Sequence, residues 1–100
     1  MHQHIALFWL KEQLSDAEIL EFEQGLNNLT KISLVLSGSY GKPADTHRSV
    51  VENTYSYGLI LLFKDISDHN LYQADPFHQS FVNHNSQKWI KVQVLDIETT

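Results

Sequence analysis

The sequence contains no cysteine, which removes disulfides, thiolate nucleophiles and thiolate metal sites together. Proline occurs twice and glycine four times, so the chain has few forced breaks and no linker-like or low-complexity tract. Lysine and arginine number only seven, dispersed rather than clustered, against twelve aspartates and glutamates, for a net charge of −5. A nucleic-acid-binding face, or attachment to an anionic membrane, needs a basic patch; neither partner is expected. No apolar run approaches the roughly 18 residues that cross a bilayer. The opening residues Met1-His2-Gln3-His4 lack the charged and cleavable features of a secretory leader, so a soluble, cytoplasmic protein is the expectation. One hundred residues suffice for a single domain, residues 1–100, with one modest core.

What is present is a strongly periodic chain. His4-Ile5-Ala6-Leu7-Phe8-Trp9-Leu10 is a nearly unbroken apolar run, rich in branched and aromatic residues, and reads as a strand. Ser15-Asp16-Ala17-Glu18 has capping-box spacing, a hydroxyl for the free amides and a glutamate three residues on. Ile19, Phe22, Leu26 and Leu29 then recur at helical intervals, predicting a helix from about Asp16 to Leu29. Ile32, Leu34 and Leu36 alternate with Ser33, Val35 and Ser37, predicting a second strand that reaches about Tyr40 before Gly41-Lys42-Pro43 breaks it. Residues 42–53 are polar and aperiodic and are expected to form the one long loop. Tyr55 to Phe63 reads as a third strand. Ser67-Asp68 is expected to cap a short helix carrying Leu71 and Tyr72. Asp75-Pro76 supplies an N-cap and a first-turn proline for a third helix with Phe77, Phe81 and His84 on one side. Trp89 to Ile97 reads as the last strand. The order β-α-β-β-α-α-β matches an α+β, ferredoxin-like plan with a divided second helix.

A ferredoxin-like subunit covers one sheet face with helices and leaves the other wet, so its strands should alternate apolar and polar. Three strands here do not. Ala6, Phe8 and Leu10 oppose Ile5, Leu7 and Trp9; Leu59, Leu61 and Phe63 oppose Ile60 and Leu62; Ile90, Val92 and Val94 oppose Leu95 and Ile97. Helices cannot cover both faces, and an apolar patch of this width is unusual on a monomer. A second copy of the chain is the expected cover, with Ile5, Leu7, Trp9, Ile60, Leu62, Leu95 and Ile97 at a homodimer interface.

With these elements placed, the chain resembles the stress-responsive dimeric α/β-barrel (Dabb) family. The resemblance rests on His4-Ile5-Ala6-Leu7-Phe8, Thr54-Tyr55-Ser56-Tyr57, the stretch from Leu71 to Val82, and Val94-Leu95-Asp96. Its most specific piece is the Tyr-x-x-x-Pro-x-His-x-x-Phe string from Tyr72 to Phe81. The resemblance implies a homodimer whose two sheets form a barrel. The family's activities are scattered, and a plant polyketide cyclase is among its members. Similarity to that cyclase implies a cofactor-free aldol cyclisation, with His78 as base, Tyr72 as its assistant, and a pocket between helices and sheet. His4 matches an inward histidine of the first strand. Tyr57 stands where the cyclase has another histidine, and Phe22 with Glu23 only partly matches a pair of aromatics in its first helix. Some family members also hold a cation on backbone carbonyls near the end of helix one.

The chemistry of the pair is self-consistent. An imidazole with an ordinary pKa near 6.5 can take a carbon acid's proton at neutral pH, and a phenol can hydrogen-bond the resulting enolate oxygen. The resemblance further implies a small hydrophobic or aromatic, polyketide-like ligand, in a pocket expected to be lined by His4, Phe8, Phe22, Tyr57, Leu59, Phe81 and Trp89. Two alternatives stand beside this reading: a non-catalytic stress-response or assembly dimer in which these residues are filled core, and a cofactor-free monooxygenase-like relative. Asp65, Asp68 and Asp75 read as cap and turn residues, and Lys42 and Arg48 as solvated loop charges. Six histidines raise the question of a metal. His2 and His4 share a strand face, but no carboxylate is expected in register beside them, and His69, His78 and His84 lack a common helical spacing. No metal site and no cofactor are expected.

Overall fold

A computed structural model describes residues 1–100. Its elements are β1 (His2–Leu10), α1 (Asp16–Thr30), β2 (Ser37–Gly41), β3 (Tyr57–Phe63), α2 (Ile66–Gln73), α3 (Pro76–Asn85), a 3-10 turn (Ser86–Lys88) and β4 (Trp89–Glu98). The strands form one antiparallel sheet in the order β2-β3-β1-β4. This is the ferredoxin-like α+β arrangement expected from the periodicities.

Helix α1 starts at its capping box. Ser15 Oγ accepts from the Glu18 amide at 3.1 Å, and Glu18 Oε1 accepts from the Ser15 amide at 3.0 Å. Asp75 caps α3 by accepting from the Phe77 amide at 2.8 Å, with Pro76 in the first turn. Two boundaries differ from expectation. The N-cap of α2 is Asp65, which accepts from the Asp68 amide at 3.0 Å; the earlier carboxylate reaches the free amides first. The second strand begins only at Ser37, because Ile32 is used as a plug under the end of α1. Ile32 is buried, its amide donates to the Leu29 carbonyl, and Val35 donates back to Ile32 at 2.9 Å. Alternation along 32–36 is therefore a chain of turns tied to the helix end, and its first contact with the sheet is Leu36 N to Leu62 O, 2.8 Å.

All three helices lie on one sheet face. The core there joins Ala6 and Phe8 of β1, Leu59, Leu61 and Phe63 of β3, Phe22, Leu26 and Leu29 of α1, Tyr72 of α2 and Phe81 of α3. Apolar residues at three- and four-residue spacing on helices, and at two-residue spacing on strands, meet there because those are the periods of the two structures. Gly25 sets how closely α1 approaches α3: a Cβ at that position would sit 2.8 Å from Phe81 Cδ1. Phe77 shares the spacing of Phe81 but is 69% exposed, bordering surface hollows beside Asn28 of α1 instead of entering the core.

The other sheet face has no cover within the chain. Ile5 stands between Ile60 and Leu95 in register, and Gln3 between Leu62 and Ile97. Ile60, Leu95 and Ile97 are 43%, 46% and 45% exposed, while Ile5, Leu7, Trp9 and Leu62 are half-buried by their neighbours. Trp9 lies flat beneath Lys91, whose Nζ is 4.4 Å from the ring centroid, and its indole N–H donates to Thr54 Oγ1 at 2.9 Å. The corresponding face of β2 offers only Ser37 and Ser39, so the apolar patch runs over β3, β1 and β4. No helix is long and apolar enough to cross a membrane.

Candidate functional site

β4 is an edge strand that projects beyond the helices, and every residue after Trp89 is exposed. On the helix side this leaves Val92 and Val94 only partly covered and opens a mouth between β4 and α3. Behind it lies a cavity of about 130 Å³. Its wall includes His4, Phe8, Leu59, Phe81 and Trp89, all expected there, together with Tyr72 and His78. Phe22 and Tyr57 do not reach the wall. Phe22 is fully buried behind Phe8 and Phe81, at centroid separations of 5.3 and 5.7 Å, and Tyr57 packs against Phe22 at 5.6 Å. The Tyr57 hydroxyl is buried without a hydrogen-bond partner. Burial, and then the nearby Glu23 carboxylate, push its pKa up to about 12.

His78 sits in the first turn of α3, and Tyr72 in the last turn of α2. The short connection through Asp75 brings their rings edge to face, 4.8 Å between centroids. Tyr72 is 1% exposed and also packs on Phe63 and His4; His78 is half-buried. Burial, joined by the His4 imidazole, lowers the His78 pKa against the opposing pull of the Gln73 backbone and Asp75. Burial, with Asp75 adding to it, raises that of Tyr72. The two shifts run in useful directions: the imidazole stays neutral and able to accept a proton, and the phenol stays protonated and able to donate.

A carboxylate does lie in register beside the strand histidines, contrary to the sequence expectation. Asp96 of β4 pairs directly with His4 of β1. Its Oδ1 lies 2.7 Å from His4 Nδ1 and 2.8 Å from His2 Nε2. His69 of α2 joins them, with Nε2 3.6 Å from the same oxygen and its ring stacked on His2 at 4.4 Å. Burial pushes the His4 pKa down, against the pull of Asp96. Burial alone would raise the Asp96 carboxyl, but hydrogen bonds from His4 and His2 hold it below the usual carboxylate range. His4 thus belongs to two sites, its Nδ1 turned to Asp96 and its ring in the cavity wall. The missed signal was register: counting from the His2↔Glu98 end of the antiparallel β1–β4 pair sets Asp96 opposite His4, whereas the shift between Trp9 and Leu10 makes a count from the other end miss it by one residue. Lys88 was not singled out either. It is 2% exposed and reaches Glu21 Oε1 and Asn85 Oδ1, both at 2.8 Å, tying the end of α3 to α1. Glu21 is held below the usual carboxylate range by that lysine.

The same fold occurs in solved structures of otherwise distant proteins. The Arabidopsis thaliana protein At3g17210 is 25% identical, with a TM-score of 0.82 over 100% of this chain and 96% of its own. A hydroxynitrile lyase from Passiflora edulis is 21% identical, with a TM-score of 0.79 over 99% of this chain and 94% of its own. A dimeric ferredoxin-like protein from Thermobifida fusca is 14% identical, with a TM-score of 0.79 over 98% and 90%. No curated protein matches the sequence. The family model of the stress responsive A/B barrel domain matches residues 3–99. Since that match runs from the second residue of β1 to the residue after β4, the chain belongs to the stress-responsive A/B barrel (Dabb) family.

Proposed function

We propose that the protein is a homodimer in which each subunit takes a small apolar or aromatic ligand into the cavity between α3 and β4 and carries out cofactor-independent acid–base chemistry of the cyclase or lyase type. The observation that carries this reading is the pairing of His78 with Tyr72, 4.8 Å apart, at the wall of an otherwise largely apolar cavity. His78 acts as the base and takes a proton from a carbon or hydroxyl acid. Tyr72 donates a hydrogen bond to the oxygen on which negative charge develops. The proton then returns from the imidazolium to the product, so no external acid, metal or redox partner enters the balance. The fold is shared with a hydroxynitrile lyase, so the reading asks only for a kind of chemistry this architecture already serves.

The volume limits the ligand. Sites for drug-sized molecules occupy roughly 300–1,000 Å³, whereas a cavity of about 150 Å³ holds benzene. At about 130 Å³ the cavity matches a single ring, with any substituent passing out through the mouth beside Val92 and Val94. The uncovered face bearing Ile5, Leu7, Trp9, Ile60, Leu62, Leu95 and Ile97 supports the homodimer. Against catalysis stands the near-complete burial of Tyr72 among Phe63, His4 and His78, which favours a non-catalytic dimer with Tyr72 as core.

Amide-shift mapping with a panel of single-ring aromatic carbonyl compounds separates the two. Catalysis requires saturable shifts at Tyr72, His78 and Val94, and exchange of the ligand's acidic proton that is lost in His78→Ala. A panel that leaves these resonances unmoved would return the cavity to the core.

A further inference from the structure

We propose that His2, His4, His69 and Asp96 form a binding site for one divalent zinc ion. The four come from three separate elements: two from β1, one from α2 and one from β4. Their potential ligand atoms all lie within 4.8 Å of one another. The donor set is three imidazole nitrogens and one carboxylate oxygen, which suits a borderline-soft ion and a tetrahedral, closed arrangement. A tetrahedron with metal–ligand distances near 2.0 Å spaces its ligands about 3.3 Å apart. The separations of Asp96 Oδ1 from the three imidazoles, 2.7, 2.8 and 3.6 Å, bracket that value, and with every pair within 4.8 Å the imidazoles must rotate inward to close on an ion.

The surroundings fit as well. His2, His4 and His69 are 6%, 4% and 7% exposed, a concentration of buried imidazoles that packing alone does not require. His69 Nδ1 lies 3.1 Å from Asn70 Oδ1; donating there fixes the tautomer and turns the Nε2 lone pair toward the cluster, as outer partners of metal-bound histidines do. The competing contact is weak, the Gln73 amide at 3.4 Å from His69 Nε2. A surface hollow bordered by Met1, His2, Lys64, Asp65, Asp96 and Glu98 gives a route in, and its three carboxylates favour a cation. An ion would replace the hydrogens now shared between Asp96 Oδ1 and the imidazoles of His2 and His4, each ring keeping its hydrogen on the other nitrogen. Metal at His4 Nδ1 leaves N–H at Nε2, so occupancy would also change what His4 presents to the cavity.

The test uses the full chain without an affinity tag, stripped with chelator and titrated with zinc chloride by calorimetry, then with cobalt chloride followed in the visible spectrum. The expected result is saturable uptake of one ion per chain and the intense ligand-field bands of tetrahedral cobalt. His69→Ala and Asp96→Asn should abolish that uptake. Asn70→Ala should weaken it by roughly 10–100-fold as a lost outer partner. His47→Ala and His84→Ala, which alter exposed imidazoles, should leave it unchanged. Absence of one-to-one uptake by the wild-type chain overturns the proposal, as does binding that survives His69→Ala and is lost in His47→Ala. The wild-type stoichiometry and cobalt spectrum decide the matter even where circular dichroism shows a variant unfolded.

Discussion

Replacing Ile60 by glutamate should convert a dimer into a folded monomer. Ile60 lies near the middle of the row Ser39–Ile60–Ile5–Leu95 that crosses the uncovered sheet face. It is 43% exposed in the single chain, so somewhat under half of its burial remains to be gained on association. Full burial of an isoleucine is worth about 1.5–3 kcal/mol, leaving about 1 kcal/mol per copy at stake. Two-fold symmetry doubles every substitution, and each copy would also strand a carboxylate in a dry interface at a cost of several kcal/mol. The sum is about 5–10 kcal/mol, or roughly four to seven orders of magnitude in the dissociation constant. The subunit itself should survive, because Leu59 and Leu61 keep the core side of β3 in place. Sedimentation velocity over a wide concentration range, with far-ultraviolet circular dichroism on the same samples, measures both parts. A wild-type chain that sediments as a monomer throughout, or an Ile60→Glu chain that dimerises as tightly as wild type, would refute the reasoning.

Tyr72→Phe removes one hydroxyl and keeps the ring contacts with His78, Phe63 and His4; urea unfolding should change by less than about 1 kcal/mol, while turnover of any bound carbon acid should fall about 10²–10⁴-fold. For His78, whose folded pKa is lowered by burial, the unfolded chain takes up the proton first as pH falls. Its contribution to stability is therefore complete above about pH 6.5 and is lost as pH drops toward the folded value; NMR should place its midpoint below that of a free histidine, and His78→Gln should flatten the dependence of stability on pH. Gly25→Ala gains up to about 1 kcal/mol of helix propensity but drives a methyl to 2.8 Å from Phe81 Cδ1, where overpacking costs about 1–3 kcal/mol. Chemical denaturation should show a net loss; an increase in stability would mean that α1 and α3 separate more freely than their packing indicates.

The cavity and the histidine cluster share one side chain, His4, and that sharing follows from strand geometry. Inward positions of β1 run His2, His4, Ala6, Phe8. The polar half lies under α2, where His69 and Asp96 meet it, and the apolar half under α3, where the aromatic core begins. A single strand thereby grades from a polar cluster at one end of the sheet to a greasy pocket at the other, with His4 at the boundary.

Much of this architecture was legible in the sequence by itself. Period-two and period-3.6 patterns, the Ser15–Glu18 box and the Asp75-Pro76 start depend on neighbours a few residues apart, and such local chemistry needs no knowledge of the fold. The apolar character of both faces of β1 and β3 was equally readable, whereas the pairing of Tyr72 with His78 came only from the resemblance to the family. Tertiary structure decided the rest. Ile32 alternates like a strand residue yet plugs a helix end, because burial under α1 is available to it and a ladder partner is not. Phe22 and Tyr57 carry the right chemistry for a pocket wall but pack one layer behind it. Asp96 lies 92 residues from His4 in the chain and 2.7 Å from it in space. Only strand register brings that carboxylate to those imidazoles, because a pairing between the two ends of the chain is set by the whole sheet and by no local pattern.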